Sequence, residues 1–197
     1  LYIDTILLNN KDTIMREQIA KELYNALNKF DTIQSKYKFY SENAFNLLLG
    51  TIAQESNFKY TKQLGNGPAR SYFQIEPATA IDILHNYIRY PTSKGIMYRK
   101  ELMDILKEIS DIKINNINYS IVEKELLNNF EFAVFIARLC YYRQNFKVLD
   151  INFNDKLNKE QYAMIWKRFY NTNKGHGTTE QFIKNYIRFE IDKIKIV

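Results

Sequence analysis

Apolar residues recur at helical spacing through most of the chain. Between Thr13 and Phe30, the positions Ile14, Ile19, Leu23, Ala26, Leu27 and Phe30 fall on one side of a 3.6-residue period and predict an amphipathic helix. Ser41 is a candidate N-cap for a second helix, with Phe45, Leu48, Leu49 and Ile52 on one face, running close to Glu55. Pro77 suits the first turn of a helix reaching about Tyr90, and helical spacing resumes from Tyr98 to Ile109. Ser120 with Glu123 has the capping-box spacing and opens a strongly apolar stretch to about Tyr142, in one or two pieces. Lys159–Tyr170 reads as a helix and 171–177 as a loop. Thr178 with Gln181 caps a last helix carrying Phe182, Tyr186, Ile187 and Ile191.

The breaks in this pattern are few. Gly65-Asn66-Gly67 marks a turn inside Ser56–Ser71, a stretch that reads as an extended loop or hairpin. Pro91 to Gly95 interrupts the chain again. With only 6 glycines and 3 prolines, long helices are favoured over a turn-dense β fold. No repeat or composition shift marks a boundary. The expectation is one mainly α domain over residues 1–197, with at most a small β-hairpin in the Ser56–Ser71 region.

A formal charge of +6 suits polyanionic partners, but the basic residues are scattered. No helix presents a basic face interleaved with aromatics, so a nucleic-acid partner is not expected. Cys140, the single cysteine, sits among Ile136, Leu139 and Tyr141 and reads as a buried, inert thiol. His85 and His176 are not at metal-ligand spacing, so neither metal nor cofactor is expected. No apolar run is long enough to span a membrane. The start, Leu1-Tyr2-Ile3-Asp4, lacks both a methionine and a signal-peptide pattern, and it suggests a processed or excised chain.

Chemistry enters at Gln54-Glu55-Ser56, where the second helix ends in a glycine-containing loop. A glycosidase needs a carboxylic acid still protonated near neutral pH, ready to donate to the leaving glycosidic oxygen. Apolar neighbours achieve this by disfavouring the charged form, and Leu49, Ile52, Ala53 and Phe58 are candidates for that wall.

The block Ser71-Tyr72-Phe73-Gln74-Ile75-Glu76-Pro77-Ala78-Thr79-Ala80 carries a resemblance. With Glu55-Ser56 before it, it resembles the signature of the lytic transglycosylases in the lysozyme-like superfamily. In that family a helix ending in Glu-Ser precedes Gly-Leu-Met-Gln and a Met-Pro-Ala-Thr-Ala run. Two further stretches are similar to family elements: Ala133, Ala137 and Arg138 to a buried helix, and Tyr170-Asn171 with Gly175-His176-Gly177 to an Ala-Tyr-Asn-Ala-Gly segment. The matches keep the family order across residues 41–190. The resemblance implies a lysozyme-like α-helical domain with any hairpin beside an active-site groove. It implies Glu55 as general acid and then base, and Ser56 as a group holding substrate or orienting Glu55. It implies Gln74 lining the groove, Tyr170 hydrogen-bonded to the catalytic carboxyl, and Asn171 on the substrate N-acetyl group or ordering its loop. Bland alternatives stand beside these roles: loop residue for Gln74, core for Tyr170, turn former for Asn171. Arg70 and Lys62 read as solvated loop charges.

The sequence departs from the family at Ser71 (usually glycine), at Glu76 (usually apolar), and at Phe169 and Thr172 (both usually alanine). Carboxylate count bears on mechanism. A hydrolase normally sets a second carboxylate across the scissile bond, roughly 5–9.5 Å away. No Asp or Glu lies between Ser56 and Ile75, which favours the single-acid transglycosylase route. Glu76 keeps the hydrolytic lysozyme alternative open, as a groove residue or as an acid stabilising the next helix's N-terminus. A non-catalytic wall-binding or virion structural protein is the remaining alternative. The expected partner is peptidoglycan, acted on in the bacterial cell wall or periplasm. The expected agent is a monomer, or part of a larger phage particle protein held in the virion or host cytoplasm before release.

Overall fold

A helix with apolar residues on every side has to be surrounded, and Phe130–Tyr142, polar only at Glu131 and Arg138, is such a helix. Phe132 to Tyr141 are all buried, and the rest of the chain is arranged around them. In the computed structural model, residues 2–171 and 175–196 are described, with side chains from residue 11 onward. Thr172 lies outside the described residues.

Eight α-helices and one hairpin are formed among the described residues: α1 (Tyr2–Ile33), α2 (Glu42–Ser56), α3 (Pro77–Asp82), β1 (Arg89–Thr92), β2 (Gly95–Tyr98), α4 (Lys100–Ile109), α5 (Tyr119–Asn128), α6 (Phe130–Tyr142), α7 (Lys159–Trp166) and α8 (Thr179–Arg188). The mainly α expectation therefore holds. α6 packs against α1 and α5, and α2 against α8 and α7. Among the described residues nearly all the buried apolar side chains, Ala44 and Ala69 excepted, form one continuous cluster.

Local chemistry sets the boundaries. Ser41 caps α2, its hydroxyl accepting from the Ala44 amide at 3.1 Å. Thr178 and Gln181 form the expected reciprocal box at α8, and Asn158 with Gln161 forms another at α7. The N-cap of α5 is Asn118, accepting from Ile121 N at 2.9 Å, and not Ser120. Glu123 is occupied by Arg70 instead. α1 begins well before Thr13, and Ile14 faces solvent at 63% exposure, off the buried stripe.

The hairpin is not in 56–71, where an irregular loop carries a 3-10 turn at Leu64–Asn66 and an isolated bridge between Lys62 and Arg70, with a second bridge from Arg70 to Ile75 beyond it. It forms at 89–98, in the register Arg89↔Tyr98 to Thr92↔Gly95. The helix from Pro77 gives way at Ile83 to a π-helical turn and then to β1. Arg99 anchors the hairpin base: its amide donates to Ile88 O at 2.8 Å, and its guanidinium stacks on Tyr87 and Tyr90 at 4.3 and 4.5 Å.

Candidate active site

α2 delivers Glu55. The buried positions Phe45, Leu48, Leu49 and Ile52 fix the helix against the core. Thr51, one turn before Glu55 on the same face, meets the Tyr141 hydroxyl at 2.7 Å. The helix stops where Asn57 and Phe58 take left-handed conformations (φ 52 and 58), which turns the chain away just beyond the acid.

Glu55 opens onto a cavity of about 920 Å³ whose walls include Gln74, Glu76, Arg143, Tyr170 and Asn171. Its carboxylate accepts from the Trp166 indole, Nε1 to Oε1 at 2.8 Å. Burial pushes the Glu55 carboxyl up from 4.5 to about 7, and the Trp166 hydrogen bond pulls it part of the way back. Part of the side-chain surface still faces the groove, so the acid is shielded without being sealed. Burial, and further along the Glu55 charge, hold the Tyr141 and Tyr170 phenols well above 10, so both stay neutral.

The opposite wall is the block from Arg70 to Pro77. Ser71 takes φ 65 and Gln74 φ 51, closing a tight turn with left-handed residues at both ends. Glycine enters that region without steric cost, so Ser71 occupies a backbone conformation that favours glycine. Arg70 N and Ile75 N each donate to the other's carbonyl at 2.9 Å and pin the turn's ends. Gln74 donates from Nε2 to Ser71 O (2.8 Å) and Tyr60 O (3.2 Å), so it orders this wall as well as lining it.

The expected residues divide. Glu55, Gln74, Glu76, Tyr170 and Asn171 share the one cavity. Ser56 does not reach it: the residue is 1% exposed, and its hydroxyl donates back to Ile52 O at 3.0 Å. Tyr170 is placed beside Glu55, but its hydroxyl donates to Phe73 O at 2.8 Å rather than to the carboxyl. Asn171 accepts from Lys167 Nζ at 2.8 Å. That ammonium also donates to Gly175 O and Gly177 O, at 2.9 and 2.7 Å, and so ties both glycines to the turn after α7. Glu76 is exposed at the start of α3 and makes no side-chain cap bond. Arg70 is not a solvated charge. It reaches Glu123 at 2.6 Å and the Gly67 and Ala69 carbonyls at 2.7 and 2.9 Å, and it braces the loop; Lys62 is exposed.

No family model, curated protein or solved structure matches the chain.

Two residues of the candidate site escaped the sequence. Trp166, fully buried at the end of α7, supplies the hydrogen bond to the acid. Gly177 sits against its ring, where a Cβ would come within 2.6 Å of the indole. Arg143 lines the cavity just past α6, its Nη1 on Asp82 Oδ2 at 2.7 Å and its buried Nε without a partner. Neither has a local signal: a lone tryptophan reads as core, and an arginine after an apolar helix reads as a C-terminal charge. Cys140 is buried at the cavity's edge, and burial pushes its thiol up to about 12. His85 lies in the π-helical turn, and His176 lines the cavity. Among the described residues no cluster of His, Cys, Asp and Glu fits a metal ion.

Proposed function

We propose that this protein cleaves the glycan strands of peptidoglycan at the β-1,4 bond between N-acetylmuramic acid and N-acetylglucosamine, by a lytic transglycosylase route with Glu55 as the only catalytic carboxyl. The observation that carries this reading is one glutamate, raised to about 7 by burial, opening onto a groove large enough for several sugars. The resemblance at Glu55-Ser56 and at Ser71–Ala80 supplies the substrate class.

In the first step Glu55 donates its proton to the glycosidic oxygen as the bond to C1 breaks. The developing positive charge at C1 lies beside the newly formed carboxylate, which the Trp166 indole stabilises. In the second step that carboxylate takes the proton of the muramic 6-hydroxyl while its oxygen bonds to C1. The products are a 1,6-anhydro end and a free 4-hydroxyl, and Glu55 is again protonated. No water is consumed.

The hydrolytic alternative is favoured by one observation: Glu76 is a second carboxylate lining the same cavity. There it would position a water for attack on C1. The site of action in either case is the bacterial wall, with delivery by a phage the reading that the composition supports. No described helix is long and apolar enough to cross a membrane.

Mass spectrometry of fragments released from purified walls tests the route. Anhydro-muramyl ends support the single-acid mechanism. Reducing ends carrying added water support the hydrolase, and release of no glycan fragment overturns both.

A further inference from the structure

A second cavity, of about 540 Å³, lies between the start of α2, the end of α6 and the segment 153–157. Its floor holds Arg138, which is 5% exposed. The Arg138 Nε donates to Phe39 O at 3.0 Å and Nη2 to Lys38 O at 3.3 Å, while Tyr142 stacks on the guanidinium at 4.7 Å. Among the described residues Nη1 donates to no acceptor, and no carboxylate forms a salt bridge with this charge. The Asp31 charge favours the charged guanidinium from a distance, but its two oxygens already accept from the Phe39 and Tyr40 amides at 2.6 and 3.0 Å. A buried cation without an anion is costly, and a cavity beside it is where an anion would be expected.

The rest of the cavity fits a ligand of both signs. Lys38 and Lys156 stand on its rim, and so do Glu42 and Asp155. None of these four pairs with another described charge. Asn43 makes the wall rigid. Its amide donates to Phe153 O and Asp155 O, both at 2.7 Å, and its oxygen accepts from Leu157 N at 3.3 Å and the Tyr162 hydroxyl at 2.8 Å.

We propose that this cavity binds a small zwitterion, an amino acid or short peptide with a free carboxylate, the carboxylate pairing with Arg138 and Lys156 and the ammonium with Glu42 or Asp155. The site is separate from the Glu55 groove and does not rest on its chemistry.

Calorimetric titration of the whole chain tests it, with alanyl-alanine as the probe beside its C-terminal amide, its N-acetyl form and inorganic phosphate. The free dipeptide is expected to saturate in the millimolar range or tighter, and the amide and the N-acetyl form to bind about tenfold more weakly or worse. Arg138→Gln and the exposed-site variant Lys156→Glu should each weaken the dipeptide about tenfold. Glu55→Gln should leave its affinity unchanged. Absence of saturable binding, equal affinity for acid and amide, phosphate binding as tightly as the dipeptide, or loss of binding in Glu55→Gln would each overturn the proposal.

Discussion

Glu55 carries a stability cost that reveals its state. Its carboxyl is held at about 7 in the fold against 4.5 when free, so the folded protein keeps that proton more tightly than the unfolded chain. The stability is complete below pH 4.5 and is lost as pH rises through 7, by about 3 kcal/mol in total. Glu55→Gln removes the titration. The variant should unfold later than wild type at pH 8 in thermal melts, and the gap should close toward pH 4.5. Trp166→Phe keeps an aromatic side chain, though a smaller one, and removes the indole donor that favours the carboxylate. Its alkaline activity limb should move to higher pH, and kcat should fall about tenfold, near 1.4 kcal/mol. A tryptophan serving only as packing would lower the melting temperature and leave the pH profile in place. The acid was legible in the sequence because Glu-Ser at a helix end, followed by the Ser71–Ala80 block, is a local pattern. Its partner was not, because the contact joins positions 111 residues apart.

At the level of elements, helix contacts decide whether the groove keeps its shape. α2 and α8 approach at Gly50, where a Cβ would lie 2.5 Å from the Phe182 ring. Gly50→Ala should therefore destabilise by about 1–3 kcal/mol through overpacking, seen as a lower denaturant midpoint with unchanged slope. Tyr170→Phe breaks the bond from the π-helical turn at Lys167–Asn171 to Phe73 O. The expected loss is about 1 kcal/mol of stability together with a raised KM, since the turn presenting Gln74 loses a support. Most helices were readable from apolar periodicity and caps, as α2 and α8 demonstrate. Periodicity failed at the hairpin. The spacing through Ile83, Leu84, Tyr87 and Ile88 stays helical while the backbone widens into a π turn, and it hides the switch to β1. Gly65-Asn66-Gly67 carries the turn signal without flanking strands to pair, so the 56–71 loop was the wrong place to expect one.

Across the whole molecule, two cavities lie on either side of the end of α6, with the stacked Tyr141–Tyr170 pair at 5.2 Å between their linings. The larger brings together five of the six residues that the sequence nominated, drawn from α2, the 71–76 turn and the π-helical turn that follows α7. What the sequence left hidden is what supports them: Arg70 on Glu123, Lys167 across its loop, and the Trp166 indole on the acid. The most direct test is turbidity loss of purified bacterial walls at pH 6, with wild type and Glu55→Gln side by side. Clearing by the wild-type protein and none by the folded variant is the expected result. Clearing by Glu55→Gln at the wild-type rate would contradict the account.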